Sequence, residues 1–272
     1  MQTYGVIGDP VEHSLSPPMH RAAYEATGLD ADYSRFHVNK GNVEEALRGA
    51  KALGLDGLNV TIPHKQAVAE TDVVENTEKA DEIGAVNTVD LNEMRAYNTD
   101  ASGARRALEH HNVELDGKSV VIVGAGGAAR AIAFEFAEHG TEVAVANRTQ
   151  EKAFGLADEV SEVRDSEVTG HSLDEIDSLI EGADVLVNAT SVGMEEDETP
   201  VPRDFLHSRL VVFDIVYTPR RTRLLKQAEE VGAKTVEGSW MLVYQGAEAF
   251  EIWTREDAPV EVMDDALKRK LR

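Results

Sequence analysis

Short runs of β-branched and apolar residues alternate along the chain with longer stretches whose apolar positions recur every three or four residues. This pattern predicts strands alternating with helices, and so an α/β fold. Strands are read at Tyr4-Gly5-Val6-Ile7-Gly8, around Tyr33 to Val38, and at Asn59-Val60-Thr61-Ile62, where the polar pair shares one face and Pro63 ends the run. Further strands are read at Ile83 to Val89, Ser119 to Val123, Thr141 to Ala146, Ala183 to Ser191 and Leu210 to Tyr217. Helices follow Ser16, with Gly28 as the stop, and span Val43 to Leu47 and Ala131 to Ala137. A long helix covers Met241 to Trp253, with Leu242, Ala249, Phe250 and Trp253 facing a core. A last one is striped by Val260, Met263, Leu267 and Leu271, with Lys268, Arg269, Lys270 and Arg272 suiting its negative end.

The run Ser119 to Val123 leads directly into Gly124-Ala125-Gly126-Gly127-Ala128-Ala129-Arg130 and then into an apolar helix. A Gly-x-Gly-x-x-Ala turn between strand and helix is the context in which this fingerprint binds a pyrophosphate on the helix N-terminus. The next strand ends in Asn147-Arg148-Thr149, with Lys152 one helical turn further on. A dinucleotide unit that prefers NAD places a carboxylate here for the ribose 2′-hydroxyl, whereas a basic residue accommodates the 2′-phosphate of NADP. Arg148 and Lys152 therefore point to NADP.

Other polar residues stand out against apolar surroundings. Ser14 and Ser16 read in two ways: Ser16 as an N-cap with Pro17 at the first helical position, or two hydroxyls at a positive helix end suited to a carboxylate. The local sequence does not choose between them. Lys65 is of a type ordinarily solvated, but it follows Asn59 and Thr61 at a strand exit, where ligands collect in α/β folds. Asn87 interrupts an apolar strand, Gln245 an apolar helix, and Asp100 reads locally as an N-cap.

Charge sets limits on partners. Among 272 residues, 50 are Asp or Glu and 27 Lys or Arg, a formal net charge of −23. Such a polyanion repels nucleic acid and anionic membranes, and its dispersed acids read as a solvated surface of the kind halophilic proteins carry. The acidic loop Glu195-Glu196-Asp197-Glu198 is read as part of that surface, and no metal site is expected. There is no cysteine, hence no disulfide framework or thiolate chemistry. The chain enters a strand at once, without a basic segment and apolar stretch of a signal peptide, and no apolar run approaches the ~20 residues of a membrane span. A soluble, cytoplasmic protein is expected.

In order along the chain, Ser14-Leu15-Ser16-Pro17, Asn59-Val60-Thr61-Ile62-Pro63-His64-Lys65, Gly84-Ala85-Val86-Asn87-Thr88 and Asn98-Thr99-Asp100 precede the glycine turn. Asn147-Arg148-Thr149, Asn188-Ala189-Thr190-Ser191, Asp214-Ile215-Val216-Tyr217 and Met241-Leu242-Val243-Tyr244-Gln245 follow it. Taken together this series resembles the shikimate dehydrogenase family nearly end to end. The resemblance implies two domains: an N-terminal α/β substrate domain of residues 1–101 that takes back 239–272, and a Rossmann-type NADP-binding domain of residues 102–238. It implies that Ser14 and Ser16, with Tyr217, hold a substrate carboxylate, that Asn59, Thr61, Asn87 and Gln245 bind ring hydroxyls, and that Lys65 and Asp100 are the catalytic pair. It further implies that NADP lies against Gly124, Ala125, Gly126, Gly127, Ala128, Asn147, Arg148, Thr149, Lys152, Thr190, Ser191, Ile215, Gly238 and Met241.

The implied reaction is reversible reduction of 3-dehydroshikimate to shikimate by NADPH, a step of aromatic amino-acid (chorismate) biosynthesis, and the family reading allows a homodimer. Two alternatives are an NAD-dependent quinate/shikimate dehydrogenase and a non-catalytic NADP-binding sensor on the same fold. Arg148 argues against the first, and the intact Lys65 and Asp100 against the second.

Overall fold

The computed structural model describes residues 1–164 and 166–271, so Arg272, read above as part of the basic helix end, lies outside the described residues. The chain divides into two compact units, one of Met1–Gly103 with Leu242–Lys270, the other of Ala104–Met241 with Leu271. These divisions fall within helices, two and three residues beyond the boundaries read from the sequence.

The first unit contains β1 (Gln2–Gly8), α1 (Ser16–Thr27), β2 (Ala31–His37), α2 (Val43–Ala52), β3 (Gly57–Val60), α3 (Lys65–Ala69), β4 (Glu75–Asn76), α4 (Glu78–Ile83), β5 (Thr88–Asp90), β6 (Arg95–Tyr97) and the start of α5 (Thr99–His110). Its six-stranded sheet has the order β2-β1-β3-β5-β6-β4, with β1 parallel to β2 and β3, and β5 antiparallel to both β3 and β6. Register places Tyr4 beside Tyr33, Val6 beside Asn59, and Asn59 beside Thr88. Apolar side chains of one sheet face pack on α2 through Val43, Leu47, Leu58, Val60 and Val89. Near α1 the core is aromatic: Tyr4 stacks on Trp253 at 4.9 Å, and the indole N–H donates to the Val89 carbonyl at 3.0 Å.

In the second unit, β7 (Ser119–Val123), α6 (Gly127–Glu138), β8 (Glu142–Asn147), α7 (Gln150–Arg164), β9 (Val168–Ser172), α8 (Ile176–Gly182), β10 (Val185–Asn188), β11 (Val211–Asp214), α9 (Arg223–Glu230) and β12 (Lys234–Glu237) follow in turn. The all-parallel sheet runs β12-β11-β10-β7-β8-β9. That is the doubly wound order whose reversal, here between β7 and β10, opens a ligand crevice at the strands' carboxyl ends. Its central strands β7, β10 and β11 are buried on both faces, which is why they read as unbroken apolar runs, whereas the edge strands β9 and β12 are polar and partly exposed. The chain then returns through α10 (Gly238–Thr254) and α11 (Val260–Lys270). Val243, Ala249, Phe250, Trp253, Met263 and Leu267 are buried there, while Leu242 is only half-buried.

Several local expectations are corrected. The strand read through Ile62 stops at Val60, and Ile62 is 72% exposed in the following turn. The apolar run from Ile83 is no strand at its start, because Ile83 ends α4 and Gly84 is its left-handed cap; pairing resumes only at Thr88. Gly28 does close α1 in the left-handed conformation, as its position suggests. No helix among the described residues is long and apolar enough to cross a membrane.

Candidate active site

Lys65 and Asp100 come together in the first unit although 35 positions separate them. The Lys65 ammonium meets Asp100 Oδ2 at 2.5 Å, with the side chains 29% and 14% exposed. Two local devices produce this pair. Beyond β3 the chain turns through Thr61 to His64, whose N–H reaches the Thr61 carbonyl. The buried His64 ring donates Nε2–H to the Val38 carbonyl at 2.7 Å, pinning the residue before Lys65. At α5 the cap is Asn98, not Asp100: Asn98 Oδ1 accepts the N–H groups of Asp100 and Ala101, at 3.1 and 3.3 Å. The N-cap reading of Asp100 is thereby corrected, and its carboxylate is released for Lys65. Asn98 is held in turn by its Nδ2–H on the Ala85 carbonyl.

Asn87 stands on the other side of Asp100. Its Nδ2 donates to Asp100 Oδ1 at 3.0 Å and lies 3.4 Å from Gln245 Oε1, while its Oδ1 accepts the Thr99 N–H at 2.7 Å. Gln245 donates Nε2–H to the Leu242 carbonyl one turn back along α10. Asn59, Asn87 and Gln245 are all buried, and Thr61 is half-buried. Buried amides of this kind are retained only where every donor and acceptor is met.

Ser14 and Ser16 also lie in this unit. Ser16 is the first residue of α1, not its cap; the cap position is Leu15, which offers no side-chain bond, so the capping reading is corrected. Ser14 Oγ accepts the Ser16 N–H and donates to Ser16 Oγ, both at 3.3 Å. Arg35 on β2 grips the Ser14 carbonyl through Nε and Nη2 at 3.1 and 2.5 Å. Two hydroxyls thus share the positive end of α1, and because Pro17 and Pro18 carry no N–H there, an anion at this end is met by the hydroxyls and the helix dipole.

In the second unit the glycine turn lies between β7 and α6. Gly124 has φ of +118°, and a Cβ there would sit 2.9 Å from the Ala189 carbonyl oxygen, so only glycine lets β7 and β10 approach. A Cβ at Gly126 or Gly127 would instead meet open space, and α6 begins with no side-chain cap. Free N–H groups with room before them are what a pyrophosphate requires. Asn147 folds its Nδ2–H onto the Thr149 carbonyl at 2.9 Å, leaving Arg148, Thr149 and Lys152 exposed; neither basic side chain forms an ion pair among the described residues.

The loops after β10 and β11 are organised by a buried pair the sequence does not single out. Asp214 accepts from Asn188 Nδ2 at 2.9 Å, from the Val216 N–H at 3.1 Å and from Thr222 Oγ1 at 2.6 Å. Burial pushes its carboxyl up to about 6 against these hydrogen bonds. Asn188 Oδ1 also receives the Thr190 hydroxyl at 2.7 Å. Thr190 and Ile215 are bonded to Asn188, Thr190 through its N–H and hydroxyl and Ile215 through its N–H on the Asn188 carbonyl, and burial raises the Tyr217 phenol above its ordinary value. Gly238 packs so tightly on the β11 exit that a Cβ would collide with the Ile215 carbonyl oxygen, and Met241 is buried three residues on. Asp214, Asn188, Asn98 and Thr99 are missed as candidates because each is an ordinary polar residue in the sequence. They stand in the motifs that carry the family resemblance, and Asn188 and Asp214 also end apolar runs, but neither signal assigns them a structural role.

Comparison with known proteins covers nearly the whole chain. Residues 6–89 match the family model described as shikimate dehydrogenase substrate binding domain, residues 105–236 the model shikimate / quinate 5-dehydrogenase, and residues 238–268 the model shikimate 5′-dehydrogenase C-terminal domain. The shikimate dehydrogenase (NADP(+)) of Natronomonas pharaonis is 57% identical over 272 residues, all of both chains. A crystal structure of a shikimate dehydrogenase in complex with NADP⁺ is 44% identical, covers 100% of this chain and 96% of its own, and superposes with a TM-score of 0.95. A quinate dehydrogenase from Corynebacterium glutamicum in complex with NAD is 34% identical, with a TM-score of 0.91 over 98% of this chain and 99% of that one.

Proposed function

The chain belongs to the shikimate dehydrogenase family, and on that premise we propose the division of labour among its residues. It is an NADP-dependent oxidoreductase that interconverts 3-dehydroshikimate and shikimate. The observation carrying the catalytic assignment is the Lys65 ammonium 2.5 Å from a carboxylate whose second oxygen is held by Asn87.

The cofactor, when bound, supplies a hydride to the C3 carbonyl carbon. Lys65 then does two things at the oxygen of that carbonyl: its charge stabilises the developing alkoxide, and it gives up a proton to complete the alcohol. In the reverse direction the amine takes the proton from the alcohol as hydride leaves C3. Asp100 holds the ammonium in place and carries the compensating charge, and Asn87 holds Asp100. Ser14 and Ser16 anchor the substrate carboxylate, while Asn59, Thr61, Asn87 and Gln245 bind the ring hydroxyls.

The second unit has the features NADP needs. Gly124, Ala125, Gly126, Gly127 and Ala128 hold the pyrophosphate, and Asn147, Arg148, Thr149 and Lys152 hold the ribose 2′-phosphate. Thr190, Ser191, Ile215, Gly238 and Met241 line the nicotinamide half. Arg148 provides a planar fork suited to phosphate, with no neighbouring acid engaged by it among the described residues. The same reading places the enzyme in the cytoplasm, the compartment implied by its biosynthetic role, and allows a homodimer.

The test is NADPH consumption with 3-dehydroshikimate as substrate, run on the wild type and on Lys65→Ala. The variant should lose ~10²–10⁴-fold in kcat with a smaller change in KM. Near-wild-type turnover in that variant would remove Lys65 from the chemistry.

A further inference from the structure

Tyr33 has no part in the assignment above, yet its hydroxyl contacts one of the proposed substrate-binding amides. It lies on β2, fully buried. Its ring is parallel to the imidazole of His20, with 4.4 Å between centroids and 4° between planes. His20 is itself buried, and neither of its ring nitrogens has a hydrogen-bond partner among the described residues. Burial pushes its pKa down to about 3, so at neutral pH it is an uncharged wall against which the phenol is set.

The phenol gives its single proton to Asn59 Oδ1 at 2.6 Å. Burial raises the Tyr33 pKa against the opposing effects of the Ser16 side chain and the Arg35 charge, which keeps that proton in place; the Asn59→Ala background below separates a route through the amide from one through Ser16. With Oδ1 turned to the phenol, Asn59 Nδ2 faces the neighbouring segment and donates to the Asn87 carbonyl at 3.2 Å and to Thr88 Oγ1 at 3.0 Å. Both amide protons are then used, and the remaining capacity of the side chain is the second lone pair of Oδ1. Thr88 passes its own proton to Asn87 Oδ1 at 3.2 Å, and Asn87 donates to Asp100. From Tyr33 to Asp100 every donor points the same way.

We propose that Tyr33 is a positioning residue for substrate recognition: its hydroxyl sets the amide of Asn59 so that a substrate hydroxyl meets the carbonyl oxygen and not the amide protons. The substrate group read there is accordingly a hydrogen-bond donor. This rests on the reading of Asn59 as a substrate contact. The later members of the chain have other support, since Asn87 Oδ1 also holds the Thr99 N–H and Asp100 also holds Lys65. Loss of the phenol oxygen therefore weakens binding more than chemistry.

Tyr33→Phe keeps the ring against His20 and removes one oxygen. In steady-state oxidation of shikimate with NADP, the variant should raise KM for shikimate about tenfold, the size of one lost hydrogen bond. Its kcat should stay within about threefold and its KM for NADP within about twofold. Made in an Asn59→Ala background, the same substitution should change kcat/KM by less than about twofold, because the hydroxyl acts through the amide. An unchanged KM in Tyr33→Phe overturns the inference, as does an equal effect with and without the Asn59 amide. So does a KM change accompanied by a fall in melting temperature of more than about 5 °C, which assigns Tyr33 a packing role. Failure of the wild type to oxidise shikimate overturns instead the functional reading beneath it.

Discussion

Relative to an Asp214→Asn variant, the wild-type second unit should lose about 2.4 kcal/mol of stability between pH 4 and pH 7. Asp214 is fully buried at the end of β11, and burial raises its carboxyl from 3.8 to about 6 despite hydrogen bonds from Thr222, Val216 and Asn188. In the unfolded chain it titrates near the ordinary 3.8. Below 3.8 both states are protonated and the contribution to stability is full. Between that value and about 6 the folded state holds a proton that the unfolded state has released, so stability falls as pH rises. The loss is complete above the folded value, and at about 1.4 kcal/mol per pH unit the gap corresponds to about 3 kcal/mol. Asn resembles the protonated carboxyl in shape and charge and does not titrate, so the variant should lack this component. The pH 4–7 window covers about 2.4 kcal/mol of this gap, which for a unit of this size amounts to roughly 5–10 °C in melting temperature. The measurement is calorimetry of both proteins at pH 4, 5, 6 and 7, all at one molar salt concentration so that repulsion among the surface acids is the same throughout. A wild-type-minus-variant difference that is constant across this range, or that favours the wild type as pH rises, would show that Asp214 stays ionised in the fold.

Other expectations follow from the same residues. Asp100→Asn should keep the contact with Asn87 but remove the charge beside Lys65, lowering kcat about 10–10²-fold with little change in NADP binding; equal kcat would leave Asp100 without a catalytic role. Arg148→Ala should weaken NADP by about 10–10²-fold in kcat/KM while NAD kinetics stay nearly constant, each lost charge-assisted hydrogen bond being worth ~1.5–3 kcal/mol. Parallel losses for both cofactors would place Arg148 away from the 2′-phosphate. With a net charge of −23, melting temperature should rise from low to molar salt as the Debye length falls from ~10 Å at 0.1 M to ~3 Å at 1 M; a flat or falling profile contradicts the acidic-surface reading.

Local sequence by itself determines the α/β class, the strand–turn–helix of the glycine fingerprint and the basic end of β8. These depend on interactions between near neighbours: an apolar run buried on both faces, a glycine at a positive φ, and a strand exit with two cations one turn apart. Asn87 and Gln245 are visible for a similar reason, as polar side chains set in apolar runs, and Asn59 and Lys65 by their places on a strand and at its exit, whereas the catalytic reading of Asp100 comes only from the family resemblance. Which of them touch is decided only in three dimensions. Asp100 could have capped its own helix, and does not because Asn98, two residues earlier, already takes the free N–H groups. Ser16 looks like a cap and lies one position inside the helix. Ile62 continues an alternating pattern but is outside the strand, since the sheet pairing ends at Val60. Asp214 with Asn188 and Tyr33 with Asn59 are invisible in one dimension, because each pair is 26 residues apart. Their partnership comes from strands placed side by side, and it is in force because a buried polar group must find its partner wherever the fold provides one.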